Sequence, residues 1–227
     1  MKLCALLTIC CSLVSACAQV NAVSSPGVVR ESWSGPAAQS ELYLGIVDGL
    51  IHQGRFEAAI AFLARYQKTG PETARFRKLT GDALSGAGRY DEAIAAYRGA
   101  LKSDLAAAAH DGIARAEAAR GDWQAAADEF RAAALLDPAN AAYLNNLGYA
   151  QIRLNVQPAA AANALRRAYE LAPTSVRIRN NLALALSRYA DHGQLLALLD
   201  SIPASERSHV AGFVEHWTPD AASRFEP

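Results

Sequence analysis

A short motif that returns at a nearly fixed interval constrains this chain more than any other feature. Gly54-Arg55-Phe56-Glu57-Ala58-Ala59, Gly88-Arg89-Tyr90-Asp91-Glu92-Ala93 and Gly121-Asp122-Trp123-Gln124-Ala125-Ala126 share the pattern Gly-x-aromatic-x-x-Ala at spacings of 34 and 33 residues. A period of that length signifies stacked supersecondary units, none of which buries its apolar face alone, so the core runs continuously along the array. Composition agrees. Of the 227 residues 50 are alanine, the strongest helix former, while β-branched residues are too sparse for an all-β domain. With 52% hydrophobic residues there is ample material for a core, and wholesale disorder is not expected. The 22 basic and 22 acidic residues cancel and leave no basic field for a nucleic acid.

Motif and period match the tetratricopeptide repeat (TPR). The resemblance implies an all-α, right-handed superhelical solenoid of about five helix-turn-helix units with a C-terminal capping helix. Units start near residues 40, 74, 107, 141 and 176. Their eighth positions are Val47, Gly81, Ala114, Gly148 and Ala183, all but the first small enough for close approach of neighbouring helices. The second helices carry Ala59, Ala93, Ala126 and the run Ala159 to Ala162, then Ala100, Ala133 and Ala168, with Tyr66 in the first unit. Pro71, Pro138 and Pro173 end them, since proline lacks an N–H and clashes with the preceding turn; Leu105 replaces the proline of the second unit. The fourth unit is one residue longer and has Asn155-Val156-Gln157-Pro158 at its turn, and the second half of the fifth is degenerate. Beyond Pro203, Ser205 is expected to cap a last helix whose Val210, Phe213, Val214 and Trp217 form an i, i+3, i+4, i+7 stripe. Such a helix covers the open end of an array; docking of a partner is the other use of the stripe.

All four cysteines, Cys4, Cys10, Cys11 and Cys17, lie in the first 17 residues, so neither a disulfide framework nor a cysteine zinc site is available to the repeats. Lys2, an apolar run from Leu3 to Val14 and the small residues before Cys17 form an export signal. Twelve residues rise only about 18 Å as a helix, short of the hydrocarbon core. Val14-Ser15-Ala16-Cys17 resembles the lipobox of bacterial lipoproteins, which implies cleavage of residues 1–16 and acylation of Cys17. Ordinary cleavage near Ala16 or Ala18 would release a periplasmic protein instead. Ala18 in place of Asp implies, by resemblance to enterobacterial sorting, the periplasmic face of the outer membrane. Residues 17–39 then read as the lipidated cysteine and a flexible tether, in which Val28, Val29 and Trp33 can dock locally. The solenoid spans 40–203, and 204–227 holds the capping helix and a frayed tail from Thr218.

No catalytic residues, metal ligands or cofactors are expected. The histidines His52, His110, His192, His209 and His216 contain no i,i+4 pair, and no Walker A, GxSxG or complete dinucleotide motif is present. In TPR proteins, positions 2, 5, 9, 12 and 13 of the first helix line a concave groove that takes an extended peptide. On this chain they include Arg75, Lys78, Asp82, Asp111, Arg115, Asn145, Tyr149, Arg153, Arg177, Asn180, Leu184 and Arg188, polar and increasingly basic towards the C-terminus. Asn146 and Asn181 are expected to bond the backbone of the preceding unit.

Asn145-Asn146-Leu147-Gly148-Tyr149-Ala150 and, 35 residues on, Arg179-Asn180-Asn181-Leu182-Ala183-Leu184-Ala185-Leu186 stand behind the lipobox and an Arg-Tyr-Asp-Glu-Ala unit. Over roughly residues 40–190 this resembles the TPR lipoproteins of the tight-adherence (Flp) pilus apparatus, the TadD family. The resemblance implies a non-enzymatic scaffold or pilotin that assists assembly of the pilus secretin, with protein partners and the membrane but no small-molecule substrate. A general envelope scaffold for peptidoglycan enzymes or outer-membrane protein assembly shares every feature except that resemblance.

Overall fold

Alanine and glycine at the close contacts let the helices of this chain stack in pairs. The computed structural model describes residues 36–188 and 191–217. The signal segment, Cys17, the tether up to residue 35 and the tail from Thr218 lie outside the described residues. Among those described are eleven α-helices and no strand. The units are α1 (Pro36–His52) with α2 (Phe56–Tyr66), α3 (Ala74–Gly86) with α4 (Tyr90–Arg98), α5 (Ala106–Ala119) with α6 (Trp123–Leu136), α7 (Ala141–Leu154) with α8 (Pro158–Leu171), and α9 (Val176–Arg188) with α10 (His192–Asp200). A last helix, α11 (Ala204–His216), follows. Two units divide between Leu42 and Tyr43, and of the first only residues 36–42 are described, as the opening turns of α1. Four residues assigned to the tether on sequence are therefore helical: Pro36 has its φ preset for a first turn, and alanines follow.

The turns within the first four units each contain a left-handed residue. Gly54, Gly88 and Gly121 supply it at φ 69°, 77° and 87°. In the fourth unit Asn155 does so at φ 54°, the non-glycine residue best suited to that region. Gln157 is also left-handed, and Pro158 opens α8. The extra residue shifts α8 by one position, so that Ala161 takes the small site with Ala59, Ala93 and Ala126, all fully buried. Ala100, Ala133 and Ala168 are fully buried as well. A Cβ on Gly148 would lie 2.6 Å from Leu165, which is why that site is glycine.

Tyr97 of α4 is the largest fully buried side chain and lies between two glycine surfaces. A Cβ at Gly81 of α3 would come within 2.6 Å of its ring, and one at Gly112 of α5 within 2.4 Å. α4, which no proline follows, ends in three-back bonds from Gly99, Ala100 and Leu101, as α2 does from Lys68 and Thr69. At the C-terminal end, α11 starts at Ala204 behind Pro203, so Ser205 lies inside the first turn and caps nothing. Its Val210 and Trp217 join Leu182–Leu186, Leu198 and Ile202 in one apolar cluster, with Phe213 and Val214 partly buried against it.

Candidate binding groove

The first helices of successive units place their exposed positions along one concave groove of about 1000 Å³. From α1 come Asp48, Ile51 and His52, and from α3 Lys78, Asp82 and Ser85. Asp111 and Arg115 of α5, Asn145, Asn146 and Tyr149 of α7, and Arg177, Asn180 and Asn181 of α9 continue it. Phe213 of α11 and Trp217 just past it close the far end.

Charge in this groove is largely paired within itself. Lys78 Nζ lies 2.6 Å from Asp82 Oδ2, and Arg115 Nε 3.0 Å from Asp111 Oδ2. Tyr97 donates its hydroxyl to the other Asp82 oxygen at 2.7 Å. Burial pushes the Tyr97 phenol well above its ordinary range, and the Asp82 carboxylate adds to the rise, so the phenol stays a neutral donor. Arg177 has no ion pair among the described residues, which leaves an unneutralised cation at the C-terminal end. The groove therefore offers paired charges near its start and open hydrogen-bonding capacity near its end.

An amide ladder ties the units together. Asn181 Nδ2 donates to Asn145 Oδ1 at 2.9 Å, Asn145 Nδ2 to Asn146 Oδ1 at 3.3 Å, and Asn146 Nδ2 to Asp111 Oδ1 at 2.9 Å. Asn146 and Asn181 do bond the preceding unit, but through side chains rather than the backbone. Asn145, read from the sequence as a ligand contact, is only 3% exposed and already donates and accepts within the ladder. Such a buried network rigidifies the array when its members are satisfied.

Four other positions chosen by repeat register do not line the groove. Leu184 is 1% exposed and belongs to the apolar cluster under α11. Arg153 lies with its guanidinium 4.1 Å from the centroid of the Trp123 ring, which in turn meets Tyr149 edge-on at 5.8 Å. Arg188 stands over Trp217 at 4.8 Å. Arg75 lies off the groove, half-buried on α3. The basic run expected towards the C-terminus is thus present in the chain, yet two of its arginines are taken up by aromatic faces.

Sequence reasoning missed the aromatic edge. Phe56, Tyr90 and Trp123, taken as turn markers, line the groove from the starts of α2, α4 and α6. Their recurrence at one repeat position was the available signal, because a residue repeated once per unit makes a row along a solenoid. Three histidines bond only their own helix: His52 Nδ1 to Asp48 O, His209 Nδ1 to Ser205 O and His216 Nδ1 to Gly212 O. His110 joins α5 to α6 through Glu129 at 2.6 Å. Among the described residues no group of His, Cys, Asp or Glu is placed to hold a metal, and no helix is long and apolar enough to cross a membrane.

A helical repeat array with a groove on its first helices is the architecture of a protein-interaction scaffold. A family profile described as tetratricopeptide repeat matches residues 44–111 and again 112–176, more than half of the chain, and the chain belongs to that family. Among solved structures it resembles MamA (41-end) of Desulfovibrio magneticus RS-1, at 21% identity over 75% of this chain and 96% of that one, with a TM-score of 0.62. It also resembles PilF of Pseudomonas aeruginosa, at 18% identity over 73% and 76% of the two chains and a TM-score of 0.64. A third is a thermophilic TPR protein of Thermus thermophilus, at 16% identity, 77% and 98% coverage and a TM-score of 0.58. At these identities the likeness is one of fold. No curated protein matches the chain.

Proposed function

We propose that this chain is a non-enzymatic TPR lipoprotein of a tight-adherence (Flp) pilus apparatus, which captures a segment of the pilus secretin on the periplasmic face of the outer membrane. The observation that carries this reading is a continuous groove on five successive first helices behind a sequence with the lipobox Val14-Ser15-Ala16-Cys17. Resemblance of the tandem Asn-Asn-Leu segments to the TadD family supplies the particular partner. Acylated Cys17 holds the groove at the bilayer, and a partner caught there gains effective concentration without any new contact. That gain is what a pilotin needs to favour ring assembly at one membrane.

Replacing the resident gene with a Cys17→Ser version tests the anchor and the partner together. The variant is expected in the soluble periplasmic fraction, with heat-resistant secretin multimers and surface pili reduced as in a deletion strain. Normal multimers and pili in the deletion strain would refute the pilus role; unchanged membrane fractionation of the variant would refute lipidation.

A further inference from the structure

One end of the groove already holds an occupant. In the first four units the ninth residue of the first helix, Asp48, Asp82, Arg115 and Tyr149 in turn, lines the groove. In the fifth it is Leu184, buried because α11 lies over it. α11 runs beside α9 in the same direction: Glu206 near its start pairs with Arg179 at 2.5 Å, and Trp217 just past its end lies under Arg188. In the other units each first helix packs on the second helix of the preceding unit as well as on its own, as α5 does on α4 and α7 on α6. α11 instead packs on α9 and turns Phe213 and Trp217 into the groove. These two side chains place it on the concave side.

The fit of α11 to this seat is incomplete. Arg179 is 7% exposed and gives Nη1 to Glu206, while its Nε–H has no partner among the described residues. The Nε1–H of Trp217 is buried without a partner there as well. Unsatisfied buried donors of this kind weaken a contact, whereas a carboxylate that takes both Nε–H and Nη–H of an arginine in a fork strengthens it. Beside them the Oδ1 of Asn180 is buried and accepts from nothing described, and the Arg177 cation lines the same end with no described ion pair.

We propose that α11 is a displaceable self-ligand, and that the groove end on α9 is a docking seat for an acidic, aromatic-bearing helical segment of a partner protein. The segment repeats the register of Glu206, Val210, Phe213 and Trp217: an acid at i, apolar residues at i+4 and i+7, an aromatic ring at i+11. Its acid takes Arg179 as a fork, a second acid meets Arg177, and its ring replaces Trp217 beneath Arg188. This rests on the groove being the partner-binding site, as in the function proposed above, and adds the chemistry of the ligand and the element that competes with it.

The probe is a fluorescently labelled peptide of residues 203–217, titrated by anisotropy against the full chain and its Glu206→Lys and Trp217→Ala variants. A tethered competitor blocks its own seat, so the peptide is expected to bind both variants roughly tenfold or more tighter than the unmodified chain. A peptide with Glu206→Gln or Trp217→Ala is expected to lose most of that binding. Equal affinity for all three chains, or no binding to variants of unchanged helicity, would overturn the proposal. So would cooperative loss of helicity in both variants, which would make α11 an integral cap. A variant that dimerises would overturn the foreign segment as occupant and assign the seat to the α11 of a second copy. None of these outcomes bears on secretin multimers in the Cys17→Ser strain, so this inference and the pilus reading fail separately.

Discussion

Tyr97 joins packing, hydrogen bonding and the groove in one side chain. Its ring fills the space that Gly81 and Gly112 leave open, and its hydroxyl holds Asp82, which in turn holds Lys78 at the groove surface. Tyr97→Phe keeps the ring and is expected to cost about 1 kcal/mol in chemical denaturation, the net worth of one buried bond. The variant should also respond differently to alkali. A phenol whose pKa is raised on folding contributes stability that is present below its unfolded value, near 10, and lost as pH climbs above it. The unmodified protein is expected to lose stability above about pH 10, with a shallower fall in Tyr97→Phe; equal slopes would show that the phenol titrates freely in the folded state. Small residues at positions such as Gly81 and Ala126 were legible in the sequence because their spacing repeats. The partners that make them necessary were not, since a period says where helices approach but not which ring fills the gap. Asn145 shows the same limit: register placed it on the groove, and only the folded array commits its amide to Asn181 and Asn146.

Helices and turns were legible wherever local chemistry agreed with the repeat. The glycine turns and the starts of α3, α7 and α9 fall where the units were placed. The fourth turn departs from the motif and still works, because Asn155 accepts the left-handed conformation that the first three turns give to glycine. Asn155→Val, which cannot adopt φ 54° without strain, is expected to destabilise the array by about 1–2 kcal/mol, whereas Asn155→Gly should be neutral or slightly stabilising. Urea midpoints measured for the two variants test this, and a harmless valine would show that the turn relaxes. Less was legible at the two ends. The start of α1 was missed because Ser34, Gly35 and Pro36 read as linker, although proline suits a first helical turn. The stripe on α11 identified its apolar face correctly. A stripe does not say which surface receives it, and the turn of Phe213 and Trp217 into the groove follows from contacts with α9 that no local pattern encodes.

At the scale of the whole chain, units that are individually too small to hold a core share apolar clusters with their neighbours, and their first helices then present a row of polar and aromatic groups. The array suits capture of a polypeptide: it has length, paired charge for register near its start, and unsatisfied donors and acceptors near its end. The central claim is that this groove, and not the outer surface, meets the secretin. Its most direct test is site-specific photo-crosslinking in intact envelopes, with the crosslinking amino acid at Lys78 or Arg177 in the groove and, as a control, at Leu135, which is 75% exposed outside it. A crosslink to the secretin from both groove positions and none from Leu135 is the result expected. Crosslinks from Leu135 alone, or the same pattern from all three positions, would contradict it.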